Sequence, residues 1–379
     1  MSTALSTEAK PPTPVGLEGV VVAETAVGDV RGLEGFYHYR QYSAVELAER
    51  RSFEDVIELL FTGSLPRIKD RTIDSSVRPL PERVRSVLGT IATVGTPLEV
   101  LRSVVSLIGS ELGWRPILDT TPTELLAQAR ELCAMVPTAL TAIERIRNGL
   151  EPVAPRDDLD FSANYLWMLN HDEAPEPVVR AIEQYLILVI DHGFNASTFT
   201  ARVIASTGAD LASCICGAIG ALSGPLHGGA PSRALDMLDE IGDPSRTDAY
   251  VREVVGTGDR IMGFGHRVYK TTDPRSRFLR ELAERLDAPL LGFAIEVEAC
   301  VETTLAELKP GRELHANVEF YAGVVMDACG IGREMFTPTF ATGRVVGWCA
   351  HILEQAANNR LIRPNARYTG PPPPVPVPA

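Results

Sequence analysis

The stretch "GADLASCICGAIGALSGPLHGGA", Gly208 to Ala230, decides the fold. It is crowded with glycine, alanine, serine and cysteine. Side chains this small let helix backbones approach closely, so the segment reads as the centre of a helical core. Gly224-Pro225 breaks the helix. His227 follows between Leu226 and a glycine pair. The low-charge part, Leu211 to Leu226, is shorter than the roughly 20 apolar residues a membrane-spanning helix needs.

Working outward, helical patterns dominate. "EPVVRAIEQYLILVIDHGFN", Glu176 to Asn195, is apolar nearly all round in its second half, as a helix buried in a large bundle would be. "PLEVLRSVVSLIGSELG" sets Leu98, Leu101, Val105 and Ile108 on one stripe. Ser43 reads as the cap of "SAVELAERR", and Gly63 as the stop of "SFEDVIELLFTG". "RSRFLRELAERLDAP", "IEVEACVETTLAELKPG" and "TPTFATGRVVGWCAHILEQAANN" continue the series towards the C-terminus. Strand signals are few: "GVVVAETAVGDVRG" and "FYHYR" are placed to pair as a hairpin near the N-terminus. The tail "TGPPPPVPVPA" favours polyproline II on the surface. The expected class is all-α with a minor N-terminal β-hairpin.

The chain has 379 residues, 45% of them hydrophobic, which suffices for one large domain or two. A net charge of -13 argues against a nucleic-acid partner. The polar, proline-bearing start has no signal-peptide pattern, and no membrane segment is expected. The six cysteines form no CxxC pair and read as free thiols of a reducing, cytoplasmic compartment.

Three histidines share a glycine-rich setting where helices are expected to end: His192 in "IDHGFN", His227 in "GPLHGGA" and His266 in "GFGHRVY". Glycine lets backbone approach a ligand and leaves the ring accessible. Arg267, Lys270, Arg275 and Arg277 follow His266 closely, against the acidic balance of the chain. Glu319 sits in an apolar run, where a carboxylate is costly unless it is paired or used. Arg344 stands amid Gly, Val and Trp, and Arg360, Arg363 and Arg367 surround a proline. Each of these alone is more ordinarily a capped histidine, a paired carboxylate or a solvated basic face. Together they fit two chemistries. One is a metal site with histidine and carboxylate ligands, but no H-E-x-x-H or close ligand pair is present. The other is metal-free acid–base chemistry on a multi-carboxylate substrate, with arginines holding the carboxylates. The arginines favour the second.

The motifs "SGPLHGGA", "MGFGHRVYKTTDPR", "NVEFYAGVVMDACGI", "FTPTFATGRVVGWCAHILEQ" and "RLIRPNARYTGP" resemble, in order and spacing, those of the citrate synthases, from about Gly16 to Pro371. The resemblance implies a multi-helical fold with a large domain, residues 1–228 and 331–379, and a small domain, 229–330. It implies a short, homodimeric form of the family. The implied substrates are oxaloacetate and acetyl-CoA, with coenzyme A thioester as co-substrate, no permanently bound cofactor and no metal. His227 would stabilise the enolate of the thioester, His266 polarise the ketone of oxaloacetate, and Glu319 remove the proton. His192, Arg275, Arg344 and Arg363 would hold oxaloacetate, with Arg363 entering the neighbouring subunit's site. Met262, Gly263, Phe264 and Gly265 would receive the coenzyme, and Arg267 and Lys270 would meet its phosphates.

The chain departs from the family pattern at several points. Glu319 stands where the family normally has aspartate, and one methylene moves a carboxylate by on the order of 1.5 Å. Gly193 replaces a frequent glutamate, Ala230-Pro231 a frequent Ala-Asn, Gln41 a glycine, and Thr96 a histidine. The alternatives weighed are a 2-methylcitrate synthase using propionyl-CoA, since one methylene gives only about 1–3 kcal/mol of discrimination, and a non-catalytic paralogue that binds oxaloacetate or coenzyme A.

Overall fold

A computed structural model of the chain describes residues 13–67, 78–228, 230–371, 373–374 and 376–378. The signal-peptide reading of residues 1–12 and the side chains of Ala230 and Pro231 lie outside the described set.

Three short strands, β1 (Gly28–Arg31), β2 (Phe36–Tyr39) and β3 (Tyr42–Ser43), form one antiparallel sheet. The expected hairpin is β1–β2, with Gly28 opposite Tyr39 and Arg31 opposite Phe36. Only the end of the Gly19–Gly32 stretch is strand, and β3 was not foreseen. Between β2 and β3 the left-handed backbone falls on Arg40, at φ 50°. Gln41 therefore does not occupy the position that calls for glycine.

Serine caps open α1 (Ala44–Arg50) and α2 (Phe53–Thr62): the Ser43 and Ser52 hydroxyls accept from the amides of Glu46 and Asp55. Gly63 closes α2 at φ 80°, as expected. Next come α3 (Glu82–Ile91), α4 (Pro97–Glu111) and α5 (Pro122–Arg147). Thr96 and Thr121 open α4 and α5 with reciprocal capping boxes to Glu99 and Glu124. A cap is worth about 1 kcal/mol. Thr96 is thus a helix cap. The first helical run ends with α6 (Phe161–Asn170), α7 (Glu176–Val189), α8 (Ala196–Ser206) and α9 (Leu211–Leu222). A second run holds α10 (Ala230–Ile241), α11 (Thr247–Gly256), α12 (Pro274–Arg285), α13 (Leu291–Leu308) and α14 (Val318–Ala328), before α15 (Phe336–Ala357).

The small-residue stretch becomes α9, which packs on α4 and α8. A Cβ on Gly109 would lie 2.4 Å from Ala212 Cβ, and one on Gly217 would lie 2.1 Å from Ile204 Cδ1. Such contact needs glycine on one side. Leu211, Ile215, Ile219 and Leu222 are buried at this junction, each contributing about 1.5–3 kcal/mol. Mostly apolar, α15 runs through the centre against α2, α5, α7, α8 and α9. It buries Phe336, Val346, Trp348, Cys349 and Ile352 completely. The helices α10 to α14 pack largely on one another, α10 and α12 on α14 and α11 on α13.

All six cysteines are free thiols. Among the described residues, no helix is long and apolar enough to cross a membrane.

Candidate active site

The ends of helices and the loops between them carry the candidate side chains. His192 lies in the turn from α7 to α8, His227 in the turn after α9, and Arg275 and Glu319 in the first turns of α12 and α14. Arg344 lies within α15. His266 is not at a helix end as expected; it lies in the loop between α11 and α12, well past Gly256.

Three of the candidates form one cluster. The His192 and His266 rings stand edge to face, with centroids 5.2 Å apart. Tyr269 stacks on His266 at 4.8 Å, and its hydroxyl lies 3.0 Å from His192 Nε2. Tyr37 from β2 adds a further wall, 5.5 Å from His192. The Arg275 guanidinium sits 5.9 Å from both the Tyr37 and Tyr269 rings.

Arg275 is fixed by a residue that sequence reasoning missed. Asp273 accepts from Arg275 Nε at 3.0 Å and from Nη2 at 2.7 Å, a two-point clamp with both side chains buried. The same carboxylate accepts from the amides of Arg275 and Val318, so it caps α12 and ties it to the start of α14. The signal was present: "TDPRSR" has the cap-then-proline pattern of a helix start. Burial pushes the Asp273 carboxyl up, but Arg275 and His266 hold it below its ordinary value.

Hydrogen bonds set the form of each histidine. His266 Nδ1 accepts from the amides of Val268 at 3.0 Å and Tyr269 at 3.1 Å. An amide can only donate, so the ring proton resides on Nε2. Burial and then Arg275 lower the His266 pKa to about 4, which keeps the ring neutral near pH 7. Nε2 stands 3.3 Å from Arg275 Nη2. Two donors thus stand side by side, an arrangement completed by an oxygen that accepts from both.

His227 follows the same logic from the other side. Its Nε2 accepts from the Ser197 amide at 3.3 Å and lies 2.8 Å from the Ser197 hydroxyl. The proton therefore sits on Nδ1. Burial, then Arg344, lowers the His227 pKa to about 4. Ser197 is held by Asn195, the cap of α8, and accepts from Trp348 Nε1 of α15 at 3.1 Å. His192 is likewise pushed well below its usual value, by burial, Arg275 and His266.

Glu319 is half-buried in the first turn of α14, where Asn317 Oδ1 caps its amide at 2.9 Å. Its carboxyl receives no hydrogen bond from the described residues. Burial raises its pKa to about 7, with Arg275 opposing and Asp273 adding. Arg344 is buried, its Nε donating to the Val189 carbonyl at 2.7 Å and its guanidinium 4.5 Å from the Phe340 ring. No carboxylate of the described residues forms an ion pair with it. Burial lowers its pKa to about 10, with Asp191 working against the fall.

The loop Met262 to Gly265 is clasped to the segment before α14. Gly265 donates to His315, and Asn317 donates through its amide to Gly263 and through Nδ2 to Gly265. Gly263 and Gly265 hold φ of 78° and 83°, which glycine alone adopts freely. Arg267 and Lys270 are exposed beside this loop. Arg363 is also exposed, on the irregular segment after α15, and no contact among the described residues joins it to the cluster. Among the described residues, no group of histidine, cysteine or carboxylate side chains has the makings of a metal site.

The chain is similar along nearly its whole length to known proteins. The family model described as "Citrate synthase, C-terminal domain" matches residues 16–365. "Citrate synthase" of Deinococcus radiodurans is 38% identical over 361 residues, covering 94% of this chain and 95% of the relative. "Citrate synthase 2" of Bacillus subtilis is 40% identical over 372 residues, with coverage of 94% and 95%. Among solved structures, citrate synthase from Thermotoga maritima superimposes with a TM-score of 0.85 at 35% identity, over 96% of this chain and 97% of that one. The Thermoplasma acidophilum enzyme, a ternary complex with carboxymethyl coenzyme A and oxaloacetate, gives 0.88 at 27% identity, over 96% and 98%.

Proposed function

This chain belongs to the citrate synthase family, and from that premise we propose how its residues condense acetyl-CoA with oxaloacetate to give citrate and coenzyme A. Relatives that bear the name citrate synthase do not favour the propionyl-CoA or the non-catalytic reading. The carrying observation is the pair of donors His266 Nε2 and Arg275 Nη2, set side by side 3.3 Å apart, where one oxygen could accept from both.

Oxaloacetate binds first, its ketone oxygen against His266 Nε2–H and its carboxylates against Arg275 and Arg344, beside His192. The thioester of acetyl-CoA places its carbonyl against His227 Nδ1–H. Glu319 then takes a proton from the methyl carbon. With a pKa of about 7 it is a far better base than a free glutamate at about 4.3. Neutral His227 donates to the growing enolate oxygen without a competing charge. The enolate carbon attacks the polarised ketone, and water hydrolyses the citryl thioester.

The loop Met262 to Gly265 receives the coenzyme, with Arg267 and Lys270 at its phosphates. The self-packing of α10 to α14 supports a small domain of residues 229–330 against a large one of 1–228 and 331–379. Closure of the small domain after oxaloacetate binds protects the thioester from wasteful hydrolysis. The enzyme acts in the cytoplasm as a homodimer, with Arg363 reaching the neighbouring subunit's site.

A thiol-release assay with purified protein tests the chemistry. Release that requires both substrates is expected, and Glu319→Gln should lower turnover by about 10²–10⁴-fold. No thiol released at saturating substrates sinks the proposal. Subunit sharing has its own test. Glu319→Gln and Arg363→Gln dimers, each impaired, should regain activity when their subunits are exchanged; mixed dimers that stay inactive rule sharing out.

A further inference from the structure

The helix α15 meets the end of α7 along one stripe. A Cβ at Gly343 would lie 2.8 Å from the Leu186 carbonyl oxygen, and one at Gly347 would lie 2.1 Å from that of Ile190. Between them Arg344 Nε donates to Val189 at 2.7 Å. One turn past Gly347, His351 stands 3.1 Å from Asp191, Nε2 to Oδ1, with both side chains fully or almost fully buried. The stripe therefore ends on the carboxylate next to His192.

Asp191 uses both its oxygens. Oδ1 accepts from His351 Nε2, and Oδ2 accepts from the amide of Gly193 at 3.2 Å. The carboxylate thus grips α15 and the peptide just beyond His192. Gly193, where the family often has glutamate, sits at φ 64° and lets this turn close tightly. His351 is oriented from behind. Arg202 Nη1 faces His351 Nδ1 at 3.1 Å, and since a guanidinium only donates, the ring proton is driven to Nε2, towards Asp191. Arg202 is itself paired with Glu354 at 2.6 Å, and Glu354 accepts from the Ala26 amide at 2.7 Å.

We propose that Asp191 and His351 are positioning residues for the oxaloacetate end of the cleft: their hydrogen bond fixes His192 against His266 and keeps the Asp191 carboxylate away from Arg344. This rests on the reading of His192, His266 and Arg344 as oxaloacetate groups. Without the His351 donor, a buried carboxylate is left with the Gly193 amide alone. It then turns to Arg344, whose charge already acts on it, and competes with the substrate carboxylate. The acetyl-CoA end should be affected less, because no hydrogen bond joins Asp191 or His351 directly to Ser197, His227 or the Met262–Gly265 loop among the described residues.

Steady-state kinetics of the full-length protein separate this role from a structural one. In His351→Gln, the amide N–H can stand where Nε2–H stood; in His351→Asn, it cannot reach Asp191. His351→Asn should raise KM for oxaloacetate about tenfold or more, with KM for acetyl-CoA within about twofold and His351→Gln within about threefold of wild type. Equal impairment of the Asn and Gln variants, or a fall in melting temperature with both KM values unmoved, overturns the proposal. Should His351→Asn not fold, Glu354→Gln, at the more open end of the chain, takes its place. It should raise KM for oxaloacetate about two- to fivefold, and no rise is a refutation. Oxaloacetate titrated calorimetrically into the same variants must give the same order of Kd. That measurement needs no turnover, so it stands even if the wild type releases no thiol and the functional reading fails.

Discussion

Two buried arginines, one at the start of α12 and one inside α15, are treated oppositely by the protein. Arg275 and Arg344 are 3% and 2% exposed. Arg275, at the start of α12, is clamped by Asp273 at two points, and despite burial that carboxylate raises its pKa. Arg344, inside α15, has no ion-pair partner among the described residues, and burial lowers its pKa to about 10. Equal burial with unequal pairing teaches that the two cations do different work. Arg275 is an oriented donor whose charge is already balanced. Arg344 is a charge without a close counter-ion, and a substrate carboxylate would supply one.

The largest expected effect follows from that asymmetry. Arg344→Leu should lower kcat/KM for oxaloacetate by about 30- to 5,000-fold, since losing one partner of a buried charge pair costs roughly 2–5 kcal/mol. The unliganded protein should be no less stable, because removing an unpaired buried charge relieves its desolvation. A clear fall in unfolding temperature together with a small kinetic effect would make Arg344 structural and break the contrast.

Asp273→Asn is the mirror case. It leaves Arg275 buried without its counter-charge, and the new amide NH2 cannot accept from both Arg275 Nη2 and the Val318 amide as Oδ2 does, although Asn can still cap α12. Unfolding free energy, measured by denaturant titration, should fall by about 3–5 kcal/mol. With the guanidinium loose beside His266, kcat/KM should drop by about 10²-fold. If stability holds, Arg275 was not a preassembled donor.

Glu319 sharpens the comparison, because it too lies in the field of Arg275 yet gains little from it. Its pKa of about 7 predicts an acid limb in the kcat/KM profile near pH 7, with activity rising as the carboxyl ionises and falling about tenfold per unit below. Glu319→Asp should be slower by about 10–10²-fold, since the shorter side chain draws the carboxylate back by about a bond length from where Glu319 holds it. Faster turnover in that variant would mark Glu319 as a compromised base.

Local residue choice made part of this legible beforehand. The small side chains of α9, the serine caps and Gly63 specify their elements through short-range chemistry, so they were readable. Cations gathered around a glycine-flanked histidine in an acidic chain marked His266 and Arg275. Pairing across the fold was not readable. Asp191 and His351 are 160 positions apart, and nothing local in either points to the other. Asp273 reads equally well as an ordinary cap, and its clamp on Arg275 becomes visible only when α12 is built. Side-chain tautomers also depend on amides such as Ser197 and Val268, which the sequence does not orient. The strand β3 was missed because two residues carry too little pattern.

The smallest expected effect sets the two carboxylates around Arg275 against each other. Asp273 has its pKa lowered on folding, so its contribution to stability is present above its ordinary value near 3.8 and is lost as pH falls through the folded value. For Glu319 the shift runs the other way, from 4.5 to about 7. The folded chain holds that proton more tightly than the unfolded chain, so its contribution is full below about 4.5 and is lost as pH rises through about 7. Removing the charge should therefore help the fold where it is present. Glu319→Gln should melt within about 1 °C of wild type near pH 5 and about 2–4 °C higher near pH 8, while Asp273→Asn melts lower at both. A Glu319→Gln protein less stable than wild type at pH 8 would mean that the ionised carboxylate has a partner in the folded chain. Arg275 would then be shared between the two acids, and the contrast with Arg344 would lose its ground.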